Sequence, residues 1–217
     1  MRSHCLGLYG TISGVVIEPA RKDNADCEGA VKVKQFSVAE YHRLIEAGVL
    51  TENDNIEMLE GYLVNKKPHS PPHDAAIQKG IKKLFRVLPP GWDLRAQCAI
   101  TLPESEPEPD FAIIRGDENA YLMHHPTAAD IGLVVEVSDS SLLGDRDDKG
   151  RIYARAGIPC YWIVNVHDGW IEVYTSPSGP VADPKYALRV DHCAGDSISV
   201  VLGSNAPVLV AVQDMLP

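Results

Sequence analysis

Ser37 with Glu40 three residues later forms a capping box, and Tyr41, Leu44 and Ile45 follow at helical spacing up to Gly48, which predicts a short helix. The β-branched and apolar content from Ile56 to Asn65 predicts a strand, ended by Lys66, Lys67 and the turn at Pro68, Pro71 and Pro72. Ile77, Ile81, Leu84 and Leu88 then recur at four, three and four residues, while Lys79, Lys82, Lys83 and Arg86 fall mostly elsewhere on the wheel. That is an amphipathic helix with a basic face. Strands are predicted over Trp92 to Leu102, Phe111 to Arg115, Ile131 to Val137, Tyr161 to Val166 and Trp170 to Thr175. A helix from Asp145 to Ala156, stopped by Gly157 and Pro159, separates the third of these from the fourth, and His167, Asp168 and Gly169 make a hairpin turn before Trp170. This order predicts an α/β or α+β fold, a mixed central sheet flanked by helices.

The first 31 residues show no sustained period and carry the polar stretch Arg21 to Gly29, so they are expected to be a weakly structured arm, with the domain spanning 32–217. No apolar run approaches the roughly 20 residues of a membrane span, and Met1 to Ile17 lacks the pattern of a secretory signal. Five cysteines, odd in number and never in a C-x-x-C pair, fit a reducing cytoplasm better than a disulfide framework or a zinc ribbon. The net charge of -10 is unevenly placed: residues 32–100 hold ten Lys and Arg against eight Asp and Glu, whereas residues 101–150 hold three against twelve. An acidic chain does not wrap nucleic acid wholesale, because phosphates need positive charge where the backbone lies.

The signatures H-E-x-x-H, G-x-x-x-x-G-K-[ST], G-x-G-x-x-G and G-x-S-x-G are absent, and nothing calls for an organic cofactor. His69 and His73 are four apart, but Pro71 and Pro72 between them are expected to prevent the helix that would align the two rings for zinc. His124 and His125 beside Pro126 are read as a solvated loop. The informative pair is Asp110 and Glu136. Asp110 closes the acidic run from Glu104 and opens the apolar strand at Phe111; Glu136 sits inside Leu133-Val134-Val135-Glu136-Val137. An ionised carboxylate in a buried strand costs several kcal/mol unless it is paired or bound to a metal, so Glu136 is either half of a buried ion pair or functional. Two carboxylates converging from neighbouring strands suit a hard divalent cation such as Mg2+. Lys149, on the helix that follows, is either a surface lysine or one that returns to the strand end to orient water and meet charge on a phosphate.

Phe36-Ser37-Val38-Ala39-Glu40-Tyr41, Ile56 to Gly61, His73, Gln97, Glu108-Pro109-Asp110, Leu133 to Ser138, Asp145-Arg146, Lys149, Tyr153 to Pro159 and Tyr161 to Val164, in that order, resemble the Uma family of restriction endonucleases, a branch of the PD-(D/E)xK nuclease superfamily. The resemblance spans about residues 34 to 215. It implies a restriction-endonuclease-like core and phosphodiester cleavage dependent on Mg2+ or Mn2+. The family's aspartate falls on Asp110 and its second acidic ligand on Glu136. The strand lysine of the superfamily would fall on Ser138, where serine cannot replace it, and the helix lysine that takes over falls on Lys149. The first acidic residue falls on Glu57, with Glu60 the competitor, and Gln97 occupies the family's glutamine position. Tyr62 and Cys160 stand where acidic residues are usual.

The resemblance implies a Mg2+-dependent endonuclease acting on DNA, with Asp110, Glu136 and Glu57 as metal ligands and Lys149 assisting. Lys66, Lys67, Lys79, Lys82, Lys83, Arg86 and Arg95 are either its phosphate-facing surface or a solvated face. The competing reading is a binding or regulatory module that keeps the fold without turnover, favoured by the net charge and the missing strand lysine. Trp92, Trp162, Trp170 and Val208 to Met215 offer either a homodimer surface or core packing.

Overall fold

The capping box at Ser37 is formed as expected. Its side chain accepts from the Glu40 amide, Glu40 returns the bond to the Ser37 amide, and helix α1 (Val38–Glu46) starts there. The structure, a computed structural model, describes residues 33–217, and the arm expected over residues 1–31 lies outside them. Gln35–Pro217 pack as one unit.

The strand expected over Ile56 to Asn65 is a hairpin instead, β1 (Ile56–Leu59) against β2 (Tyr62–Asn65). Glu60 (φ 48°) and Gly61 (φ 79°) form its two-residue turn. Two successive positive φ values are what a tight hairpin needs to match the strand twist, and a Cβ on Gly61 would stand 2.8 Å from Gln35 Cβ. Helix α2 (Pro71–Val87) starts earlier than its apolar period implied. Ser70 caps it, and Pro71 and Pro72 occupy its first positions, where no backbone N–H is needed. The prolines begin the helix and leave His69 outside it, so no one helix carries both histidines, as expected; the two rings nevertheless lie close, 4.3 Å between centroids.

The central sheet has six strands in chain order, β3 (Trp92–Ala96), β4 (Phe111–Arg115), β5 (Ile131–Ser138), β6 (Cys160–Asn165), β7 (Trp170–Pro177) and β8 (Tyr186–Cys193). Every neighbouring pair is antiparallel except β5 with β6, which are parallel and joined by a helical crossover. The first strand is shorter than expected because Gln97 (φ 53°) turns the chain out of the ladder. The crossover starts at Leu142 rather than Asp145, as α3 (Leu142–Gly144), a widened π turn Asp145–Lys149, and α4 (Gly150–Ala156). A second small hairpin, β9 (Ser197–Val200) with β10 (Val208–Ala211), completes the described chain.

Strand β5 is buried along its whole length, as a central strand covered on both faces must be. Its alternate residues serve two cores. Leu133, Val135 and Val137 pack with Phe111, Ile113 and Trp162 toward α2, whose Ala76, Ile77 and Leu84 meet Val210, Val212 and Met215 of the C-terminal segment. Val134 packs with Ala112, Ile114, Tyr161 and Ile163 toward α4, which supplies Ile152 and Tyr153. By the same alternation Glu136 belongs to the α4 side. The basic face of α2 is partly used up inside the molecule, since the Lys79 ammonium donates to the Leu216 carbonyl at 2.7 Å and Lys83 pairs with Asp214 at 3.0 Å. Among the described residues, no helix is long and apolar enough to cross a membrane.

Candidate active site

Strands β4 and β5 pair Phe111 with Val135, so Asp110, one residue earlier, comes level with Glu136. Asp110 Oδ2 accepts the Val137 amide at 2.8 Å, which ties the end of one strand to the other through the carboxylate. Both groups are buried, Asp110 at 8% and Glu136 at 3% exposure, so two acidic groups meet at one sheet end where ionising both together is costly. Such a pair is unfavourable without a cation.

Lys149 supplies part of that charge. From the last position of the π turn its Nζ reaches Glu136 Oε1 at 3.0 Å and Glu57 Oε1 at 3.6 Å. The Tyr153 hydroxyl donates to the same Glu136 oxygen at 2.6 Å. Burial drives the Glu136 carboxyl up to about 8, with Asp110 and Asp145 adding to the rise and Lys149 opposing it. For Lys149, burial disfavours the ammonium, but Glu136, Glu57 and Asp145 together outweigh it and hold the group above its ordinary value. Lys149 is therefore a fixed positive charge and donor, not a base.

Glu57 reaches the site because its hairpin docks on the acidic run. The Glu106 amide donates to the Met58 carbonyl at 2.7 Å, the Gly61 amide to the Glu104 carbonyl at 3.0 Å, and the Glu108 amide to Glu57 Oε2 at 3.1 Å. Glu60 does not come to the site. It sits in the turn and pairs with Arg151 at 2.6 Å and Arg155 at 3.3 Å. Ser138, in the superfamily's lysine position, is buried and faces the Ser141 hydroxyl at 3.3 Å. The Gln97 amide donates to the carbonyls of Pro109 and Asp110, both at 3.2 Å, while its side chain lies 3.4 Å from His69 Nδ1.

These groups line a cleft of about 320 Å³ with seven carboxylates and three lysines, Lys66, Lys67 and Lys149. Lys66 pairs with Glu108 at 2.7 Å and Lys67 donates to the Ser140 carbonyl at 3.3 Å, so both stand at its rim.

Sequence reasoning did not place Asp145 or Tyr153 in the site, and it set aside His69 and His73 as a zinc pair. Asp145 is 5% exposed and takes a hydrogen bond from the Ser141 hydroxyl; burial raises its carboxyl, with Lys149 pulling the other way. The signal was present: Asp145, Lys149 and Tyr153 are spaced four apart, one face of a helix. His73 Nε2 lies 3.2 Å from Asp110 Oδ2.

A mixed sheet that carries two carboxylates to one end of its central strands, under a lysine from the crossover helix, defines a nuclease-like α/β fold. A putative nuclease belonging to DUF820 from Anabaena variabilis ATCC 29413 shares this fold, with a TM-score of 0.57 and 12% identity over 83% of this chain and 97% of that one. The chain belongs to the Uma2 family, described as putative restriction endonuclease, which matches residues 38–205. No curated protein matches the chain.

Proposed function

We propose that this chain is an endonuclease that hydrolyses phosphodiester bonds of DNA with Mg2+ or Mn2+. The observation that carries the reading is the meeting of Asp110, Glu136 and Glu57 beneath the Lys149 ammonium in one cleft. The donor set fits a hard cation, being all oxygen, and its buried carboxyls can ionise together only with one between them. A cleft with seven carboxylates and three lysines also repels a phosphate backbone unless cations intervene.

Asp110, Glu136 and Glu57 would hold the ion, whose chemistry there would be to activate a water and neutralise the scissile phosphate. The chain's own groups do the positioning. The Val137 amide engages Asp110 Oδ2, and Tyr153 and Lys149 engage Glu136 Oε1, so each carboxylate is oriented before any ligand arrives. Lys149 offers its remaining protons to charge developing on the phosphate. Lys66 and Lys67, rather than the lysines of α2 tied to the C-terminal segment, are placed to meet the flanking phosphates. The inactive-module reading drew on the net charge and the missing strand lysine; an ammonium 3.0 Å from Glu136 weighs against the second of these.

Incubation of supercoiled plasmid with the protein and Mg2+ tests the assignment. Cleavage is expected, lost on replacing Asp110 and Glu136 together by alanine, and lowered about a hundredfold or more by Lys149→Met. Cleavage that survives the double replacement overturns it.

A further inference from the structure

We propose that His69, His73 and Asp110 form a site for a borderline transition cation, Zn2+ by class, distinct in ligand chemistry from the all-oxygen set of Asp110, Glu136 and Glu57. One ligand atom from each of the three residues lies within 4.8 Å of the other two. The imidazole rings are 4.3 Å apart between centroids. His73 is 9% exposed, with Nε2 at 3.2 Å from Asp110 Oδ2, and its Nδ1 is buried without a hydrogen-bond partner. A buried ring nitrogen without a partner is uncommon enough to require an explanation, and ligation or orientation by a neighbour at an occupied site is one.

The local chain explains how the cluster arises. Pro71 and Pro72 open α2, so His73 is locked on the first turn, while His69 lies just before the Ser70 cap with an exposed ring. Ligand atoms around a tetrahedral ion stand about 3.3 Å apart, given metal–ligand bonds of about 2.0 to 2.1 Å. His73 Nε2 and Asp110 Oδ2, 3.2 Å apart, already stand at that spacing, and His69, the exposed member, is the ligand that would adjust to the ion. Asp74 Oδ1, 3.3 Å from His69 Nδ1 and 3.8 Å from His73 Nδ1, is the carboxylate available to hold ring nitrogens that do not ligate. Both His69 and Asp110 also border a second cleft of about 690 Å³, which gives an ion access.

Two imidazoles and one carboxylate select against Mg2+, which prefers oxygen, and for Zn2+ and its neighbours. Three protein ligands leave a fourth position for water, the pattern of a reactive rather than a structural zinc. Asp110 is common to both sets, so the two occupancies are coupled through one carboxylate. The site itself stands on the two histidines whether or not the nuclease reading holds.

Calorimetric titration of the full-length protein with Zn2+ alone tests this, with a parallel titration of Mg2+. One Zn2+ per chain is expected, bound at least about tenfold more weakly by His69→Ala and by Asp110→Asn. His69→Ala removes an exposed side chain, so its fold, checked by circular dichroism, should persist, and its Mg2+ binding should match the parent's. Absence of Zn2+ binding, or the same affinity in parent, His69→Ala and Asp110→Asn, as when cysteines take the ion, overturns the proposal. Failure of Mg2+ to bind while Zn2+ binding depends on His69 would instead count against the Mg2+ site alone.

Discussion

Replacing Glu136 by glutamine keeps the shape of the side chain and its ability to accept from Tyr153, but removes the charge that burial makes costly. In the folded chain the carboxyl is pushed up to about 8, against an ordinary value of 4.5, so between those limits the folded state retains a proton that the unfolded chain has released. A group raised in this way makes stability fall as pH rises through the window. At about 1.4 kcal/mol per pH unit, the penalty at pH 7 comes to about 3 kcal/mol. Glu136→Gln should therefore stabilise the metal-free protein by up to about that amount, less the cost of leaving the Lys149 ammonium with Glu57 as its carboxylate partner, a rise in melting temperature of at most roughly 6 to 12 °C for a domain of this size. Thermal unfolding followed by circular dichroism in chelator, at about pH 5 and about pH 8, provides the measurement: the parent should lose stability across the interval and the variant should not. Added Mg2+ should stabilise the parent, by binding the ionised carboxylate, and leave the variant nearly unmoved. A variant no more stable than the parent at neutral pH, or one with the same pH slope, would refute the reasoning.

Gly80→Ala pits helix propensity against packing: alanine gains about 1 kcal/mol in a helix, but its Cβ would stand 2.7 Å from Phe111 Cζ and 3.2 Å from Met215 Cε, and overpacking costs about 1 to 3 kcal/mol. The urea midpoint should fall, and a rise would show that the ring can move aside. Glu172 is wholly buried; burial alone would raise its carboxyl, but bonds from Arg146, Tyr174 and Trp170 with the nearby Arg189 hold it below the ordinary range. That stabilisation is present above the ordinary carboxylate range and lost as pH falls through the depressed folded value, so Glu172→Gln should cost about 2 to 4 kcal/mol at neutral pH and flatten the acid limb of the stability curve. Burial pushes the Cys160 thiol up to about 12, so mass spectrometry after brief iodoacetamide treatment at neutral pH should find exposed Cys193 modified and Cys160 intact.

Much of the sheet was legible along the chain. Phe111–Arg115 was read to the residue, and Ile131 to Val137 and Tyr161 to Val166 to within a residue or two, because strands buried on both faces are nearly continuous apolar runs; the half-exposed Trp170 to Thr175 was found from its β-branched and aromatic residues after a turn. The oddity of Glu136 was visible for the same reason: a charge in such a run stands out. Where local signals were weak, the reading failed. Glu60-Gly61 is a two-residue turn that a β-rich decapeptide conceals, and β8, β9 and β10 went unread because β8 is largely exposed and the other two are only four residues long.

Spacing and polarity along the chain were enough to determine the Ser37 cap of α1 and the Gly157 stop of α4, the central strands and the suspicion that Asp110 and Glu136 act together. Only the tertiary structure decided that Glu57 and not Glu60 stands beside Lys149, that the lysines of α2 serve the C-terminal segment, and that His69 and His73 meet across two prolines. The reason is physical. Periodicity states which side of an element is dry, whereas the cost of a charge depends on which others are desolvated with it, and that is settled by contacts between segments as far apart as β1 and the crossover helix.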